Sequence, residues 1–280
     1  MKKICMWSAV ILLLTSMSVA AQETEPAQLN IIYKQLLKHE PNNPEGVVDV
    51  TFVMLSVGNT RAVIEDYAAY QTDSVKAIEG IDAARIKEYE IREGATECFF
   101  LPRLYLDLNS QTIEHHEPII PNRFFYTEPF PTDWIMGEGT KEIAGYTCHE
   151  AKLSFAGREW TAWYTEELPL PYGPWKLAGL PGLILAAEDA TGEISFELAE
   201  IRSKKGIVPP AVRLNSEFEI KRVDFLERYH TLYPLQKMND INGIITMNVH
   251  KASNGKSVIT INDGIVMRLY PNGFVFLEKE

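Results

Sequence analysis

The densest set of metal-capable side chains in the chain is Glu114-His115-His116-Glu117. Imidazoles and carboxylates together can hold a divalent ion, but neighbouring residues on a strand project to opposite faces. His115 and His116 therefore cannot both reach one ion from a regular strand, and no metal site is assigned. Cys148-His149 places a thiol beside a base, the ingredients of nucleophilic catalysis. Adjacency on a strand again sends the two side chains apart. The sequence contains no G-x-S-x-G, H-E-x-x-H, G-x-x-x-x-G-K-[ST] or C-x-x-C pattern. The signatures of common serine hydrolases, zinc proteases, P-loop proteins and dithiol redox proteins are thus missing. No catalytic residue and no cofactor is assigned. A hydrolase or a thiol-redox enzyme remains the alternative to a binding protein.

Aromatic side chains are the other candidates. Trp134, Trp160, Trp163, Tyr164, Tyr172 and Trp175 lie close together in sequence. They can form the core and rim of a twisted sheet, or line a groove for an apolar ligand or peptide. For the second reading the candidate binding set is Trp160, Trp163, Tyr164, Tyr172, Trp175 and Lys176. Lys176 sits between Trp175 and Leu177 and is the better candidate for a functional cation. Arg158, at the start of a hairpin strand, reads as structural.

These residues need elements to hold them. Ala151, Leu153 and Phe155 alternate with polar neighbours, the period of a half-buried strand. Thr147–Phe155, the turn Ala156-Gly157 and Arg158–Thr165 read as a hairpin, and Leu183–Glu188 with Glu193–Ile201 as a second. Between them lies GPWKLAGLPGLIL, Gly173 to Leu185. Its prolines and glycines exclude a regular helix or strand before about Leu183. It reads as a stiff corner that admits Leu183–Leu185 to the core. Gly179 and Gly182 are expected to need φ > 0.

Upstream, Leu29–Lys38 reads as a helix or strand, Val47–Val57 as a strand and Ala62–Tyr70 as another. Ser74–Glu93 reads as an amphipathic helix weakened at Gly80. Short strands follow at Glu97–Leu101, Tyr105–Asn109, Gln111–His116 and Phe124–Thr127. A helix from Asp224 to about Tyr233 precedes strands at Ile244–Lys251, Lys256–Ile261, Ile265–Tyr270 and Phe274–Leu277. Asn254-Gly255, Asp263-Gly264 and Asn272-Gly273 supply their turns. Helices are absent between most strands, so a doubly wound parallel sheet is not expected. The fold class is mainly β (α+β). It is a single curved, partly open antiparallel sheet or half-barrel with one to three short helices packed on it.

The N-terminus bears on compartment. Lys2 and Lys3 precede an apolar run, Ile4 to Met17, that is too short to span a membrane, and small residues follow at Ser18 to Ala21. Residues 1–21 read as a signal peptide and 22–280 as a single domain. No transmembrane segment is expected in the mature chain. The destination is the periplasm, with secretion as the alternative. The formal charge of −11 argues against nucleic-acid binding, which requires basic surface. Cys98 and Cys148 survive processing and form a candidate disulfide in an oxidising compartment.

GLPGLIL (Gly179 to Leu185), the run Lys141 to Ala151, the run Gly157 to Pro169, and Trp134 resemble, in order and spacing, the GLPGLI family of exported bacterial proteins, best represented in Bacteroidetes. The motif core covers about 134–201. Its motif and structural positions here are Gly145, Tyr146, Cys148, Arg158, Gly173, Pro174, Gly179, Leu180, Pro181 and Gly182. His149 stands where the family often has Lys or Gln. The resemblance implies an exported protein of unknown biochemical function and brings no catalytic residue. The same strand pair also looks like that of LolA-like lipoprotein carriers, whose half-closed barrel has helices across its concave face. The expected function is accordingly an exported non-enzymatic binding or carrier protein of the cell envelope. Its ligand would be apolar: a lipid, an acylated protein or a peptide. An accessory module that presents Gly173–Leu185 to an envelope protein partner is the alternative.

Overall fold

A computed structural model describes residues 24–76, 78, 80–88, 102–119, 122–203, 206–211, 216–232, 247–251, 257–261, 265–267 and 275–280. The leader expected at 1–21, Cys98 and the strand expected at Glu97–Leu101 lie outside the described residues.

The chain is mainly β and is built around one sheet of twelve strands. Two meanders compose it. The first runs β2 (Leu29–Lys38), β3 (Val48–Val57), β4 (Arg61–Asp66), β5 (Arg103–Asp107), β6 (Thr112–Ile119) and β7 (Asn122–Pro129). The second runs β8 (Ile135–Ile143), β9 (Tyr146–Phe155), β10 (Arg158–Thr165), β11 (Leu183–Asp189) and β12 (Ile194–Ser203). They join where β2 pairs antiparallel with β12. A short strand, β14 (Glu217–Glu219), adds to β7 in parallel, so the sheet is mixed rather than wholly antiparallel. β1 (Glu25–Pro26) and β13 (Ile207–Val208) form a two-stranded ribbon. A separate three-stranded sheet comprises β15 (Met247–Lys251), β16 (Ser257–Ile261) and β17 (Ile265–Met267).

The order of strands forces the sheet to curl. β7 and β8 stand ten strand spacings apart along the sheet, a path of about 48 Å if it were flat. Yet only Phe130–Trp134 connects them, and a link of that length reaches ~20 Å. The sheet therefore wraps into a partly open barrel, with the ends of β7 and β8 brought near each other but not paired.

What fills the wrap is the segment between β10 and β11. Tyr172, Trp175, Leu177, Ala178 and Leu180 are all buried, in one cluster with residues of β2 to β6 and β9 to β12. Trp175 packs on Trp160 of β10 and on Phe155 of β9, while Tyr172 meets Phe130 beyond β7. The Tyr33 hydroxyl donates to the Ile184 carbonyl (2.7 Å). The Gly/Pro segment is thus more than a corner: it plugs the interior of the wrap. Gly179 has φ +93°, as the sequence suggests. Gly182 is required for a different reason: a Cβ there would lie 2.0 Å from the Thr165 carbonyl oxygen.

Helices sit on both faces of the sheet. α1 (Tyr67–Lys76) starts where a strand was expected, because the Asp66 carboxylate accepts the amides of Ala68 (2.9 Å) and Ala69 (3.2 Å) and caps it. The single long helix expected over Ser74–Glu93 is interrupted at Gly80 (φ +76°), and α2 (83–88) follows, capped by Asp82. α3 (Arg222–Leu232) packs Phe225, Leu226 and Tyr229 against Phe124 and Tyr126 of β7. Both short turns of the second meander place positive φ at an Ala-Gly pair: Ala144-Gly145 (51° and 84°) and Ala156-Gly157 (55° and 70°). The segment Val275–Glu280, part of which was expected as a strand, belongs to none of the three sheets.

Candidate functional site

The expected binding aromatics fall on two faces. Trp160, Tyr164, Tyr172 and Trp175 are buried in the core cluster, and Lys176 is completely buried. They do not line an open groove. Trp163 points the other way along β10, as alternation requires, and lies 4.1 Å beneath the Lys141 ammonium. Cys148 is a buried free thiol whose pKa burial pushes up, the opposite of an activated nucleophile. Its expected partner, Cys98, lies outside the described residues. Of the motif positions, Gly173 closes against Leu177 and Ile184, and Pro174 accepts the Leu177 amide (3.2 Å). Tyr146 packs half-buried on the core, and Pro181 faces solvent.

Lys176 reaches across the barrel interior. Its ammonium pairs with Glu128 on β7 (2.5 Å) and with Glu278, and donates to the Tyr126 hydroxyl (2.6 Å). Arg222 of α3 binds the same two carboxylates, at 3.3 Å to Glu128 and 2.9 Å to Glu278. His115 stacks on Tyr126 and pairs with Glu117 (2.8 Å). Burial, with the charge of Lys176 next, drives the His115 pKa well below its ordinary value, so the ring is neutral. Burial, the largest single influence, would raise Glu278, but Lys176, Arg222 and the Tyr126 hydroxyl together outweigh it and hold the carboxylate below its ordinary pKa. Arg158 is likewise buried, with Asp189 at 2.6 Å and Glu193 at 2.9 Å. Both cations are therefore consumed by internal pairs.

The open site is elsewhere, on the outer face of the first meander. A cleft of about 670 Å³ lies between α1, the β4–β6 surface and the segment 206–209. Strand alternation places it there: Leu104 and Leu106 of β5 enter the core, while Arg103 and Tyr105 face out. Tyr70, Tyr105, Pro118, Ile207 and Pro209 give it apolar walls. Arg103 pairs with Glu65 (2.6 Å) and Asp73 (2.9 Å) on one side. His116, across β5 and β6 from Arg103, has Glu114 at 2.7 Å and Glu217 at 3.2 Å. Burial pushes the Tyr105 hydroxyl up to about 12. Arg123, half-exposed on β7, lines the cleft with no ion pair among the described residues.

His115 and His116 do diverge, as the sequence predicts. The first joins the interior cluster and the second the cleft. Both ring nitrogens of His116 are engaged by carboxylates, and the Ser74 hydroxyl donates to the Tyr70 carbonyl (2.8 Å). Among the described residues, the lining therefore holds no assembled nucleophile and base. No group of residues able to hold a metal occurs among the described residues. Sequence reasoning singled out His116 but missed Arg103, Arg123, Tyr70 and Tyr105. The alternation of Arg-Leu-Tyr-Leu-Asp in β5 carried the signal for two of them.

A family model described as a protein of unknown function (Porph_ging) matches residues 156–186, from the β9–β10 turn through the plug to β11. That match fits the resemblance to a Bacteroidetes-type family. No curated protein matches the chain in sequence. Among solved structures, two of PNGF-II are similar at 12 % identity. In the P21 crystal form the TM-score is 0.47, covering 80 % of this chain and 35 % of that one. In the C2 form it is 0.48, covering 84 % and 40 %. This chain therefore spans well under half the length of those proteins. The likeness to LolA-like carriers finds no support in these comparisons.

Proposed function

We propose that the chain is an exported, non-enzymatic binding protein of the cell envelope, a member of the GLPGLI group. On this reading it carries an amphipathic ligand, such as a fatty acyl chain bearing an anionic head, in the outer cleft. The observation behind this is the pairing state of the cleft: Arg103 and His116 each face two carboxylates, while Arg123 has no ion pair among the described residues and stands beside apolar walls. A mostly apolar pocket with one available cation selects a largely apolar ligand with one negative group. The leader-like sequence at 1–21 supports export, and the periplasm follows from it. The analogy with lipoprotein carriers enters as one of role, with the ligand seated outside the barrel because the plug fills its interior.

The test is titration of the purified chain with a fluorescent long-chain fatty acid and, in parallel, with the alcohol of the same length. The acid is expected to bind more tightly, and Arg123→Ala to weaken it about tenfold, as loss of one charge-assisted contact would. Equal binding of acid and alcohol, or none of either, overturns the proposal.

A second reading, a module that docks a protein partner, draws on one feature. Val48, Val50 and Phe52 are exposed on alternate positions of β3, beyond the point where β4 stops pairing with it. It replaces the buried plug as the surface such a module would present.

A further inference from the structure

The segment Val275–Glu280 is held as a ligand is held. Arg158 donates from Nε to the Leu277 carbonyl (3.2 Å) and from Nη2 to the Phe276 carbonyl. His230 of α3 bonds the Glu278 carbonyl (2.8 Å), and the Lys279 amide donates to the Ala156 carbonyl (2.9 Å). Gly157 leaves room for the segment to pass: a Cβ there would stand 2.8 Å from the Lys279 Cβ. The Phe276 ring meets Tyr229 and His230 edge-on, at 5.2 and 4.8 Å. Leu277 enters the core cluster. The Glu278 carboxylate receives Lys176, Arg222 (2.9 Å) and the Tyr126 hydroxyl (3.0 Å).

Three properties make this a recognition groove rather than ordinary packing. Four of these seven polar contacts engage the segment's backbone, three at its carbonyls and one at the Lys279 amide, and any extended peptide supplies such groups. Two side-chain positions are selective, an apolar pocket for Leu277 and a doubly cationic pocket for Glu278. The groove also keeps partners for its cations without the segment, since Lys176 retains Glu128 and Arg158 retains Asp189 and Glu193. It is therefore preorganised, which is what lowers the cost of binding.

We infer that this groove, framed by the β9–β10 turn, the plug tip and α3, is a peptide-acceptor site. It takes an extended partner peptide with an apolar residue followed by Glu whenever 275–280 leaves. In the resting chain the segment occupies its own site as part of the same molecule, which raises its effective concentration there. A free peptide must compete with that.

The full chain carrying Glu278→Lys tests this. Reversing the charge beside Lys176 and Arg222 expels the segment. A labelled peptide Val-Phe-Leu-Glu-Lys-Glu is then expected to bind the variant at least tenfold more tightly than it binds the unmodified chain. The peptide with Lys in place of its first Glu is expected to bind neither. A variant with native circular dichroism that fails to bind the peptide at millimolar concentration overturns the inference. Hydrogen exchange on the unmodified chain decides the matter even if the variant does not fold. The amides of 275–280 are expected to exchange well ahead of those of β9 to β12. Exchange of the two only together would mean the segment never leaves, and would overturn the inference equally. Failure of fatty-acid binding at the outer cleft has no bearing on either result.

Discussion

Two charged regions share strand β6 and behave differently. On the inner face, Lys176, Arg222, Glu128, Glu278 and His115 form a buried network. On the outer face, Arg103, Glu65, Asp73, His116 and Glu217 border a cleft open to solvent. The ingredients are nearly the same. The Lys176 ammonium is fully buried, whereas the Arg103 side chain is 35 % exposed. Buried charges must be matched within the protein, while charges in a cleft can be left for a ligand. The comparison teaches that pairing state under burial, rather than residue type, separates a site closed by its own chain from one left open to a ligand.

The largest expected difference comes from removing one cation on each side. Lys176→Met leaves Glu128 and Glu278 short of their partner in the interior and should cost about 3–5 kcal/mol. Arg103→Met removes a partly exposed cation from the buried Glu65 and the exposed Asp73, and should cost less, about 1–2 kcal/mol. Urea denaturation of both variants measures this, and equal losses would break the comparison. Next in size is Gly182→Ala, whose Cβ has no room beside Thr165. Thermal unfolding should register a loss of about 1–3 kcal/mol.

Acid should act on the inner region first. Below its ordinary pKa of 6.5 the unfolded His115 takes a proton that the folded ring refuses. Its share of stability is complete above 6.5 and is lost as pH falls below it. Glu278, depressed below its ordinary 4.5, holds its share above 4.5 and loses it as pH falls further. Stability measured from pH 8 downward should therefore decline in two stages, and His115→Phe should remove the first. A smaller effect of opposite sign is expected at Gln35, which is fully buried with neither amide atom hydrogen-bonded among the described residues. Gln35→Met should stabilise by about 1 kcal/mol, since it removes a buried polar group without partners. The smallest effect on stability belongs to Arg123→Ala, within ~0.5 kcal/mol as for an ordinary surface change. Its consequence should appear only in ligand titrations.

The second meander was legible because its signals are local. Alternation in Ala151-Leu153-Phe155 and the Ala156-Gly157 turn set both register and hairpin. β8 was not expected, because its two glycines, Gly137 and Gly139, are there to clear Glu150 of the neighbouring strand, where a Cβ would clash, and no local pattern shows that. α1 was misjudged because Ala62–Tyr70 looks β-prone, and only the Asp66 cap marks the helix start. The plug's composition announced a specified loop, but its burial depends on a sheet that wraps from both sides. Lys176 was noticed, and its role was not, because its partner Glu278 is 102 residues away. The outer cleft assembles α1, β4 to β7, β14 and the segment 206–209, and no local pattern joins them.

The connection Phe130–Trp134 has one more consequence. It acts as a hoop: its span sets the radius to which the sheet can open. The Trp134 indole donates to the Ala178 carbonyl (2.9 Å), and Gly179 lies against Pro131, so the hoop is also buckled to the plug. Lengthening it with a few flexible residues would let the two meanders relax outward and loosen the plug without altering a single strand. Curvature in this molecule is thus a property of chain length at one short link as much as of the sheet itself.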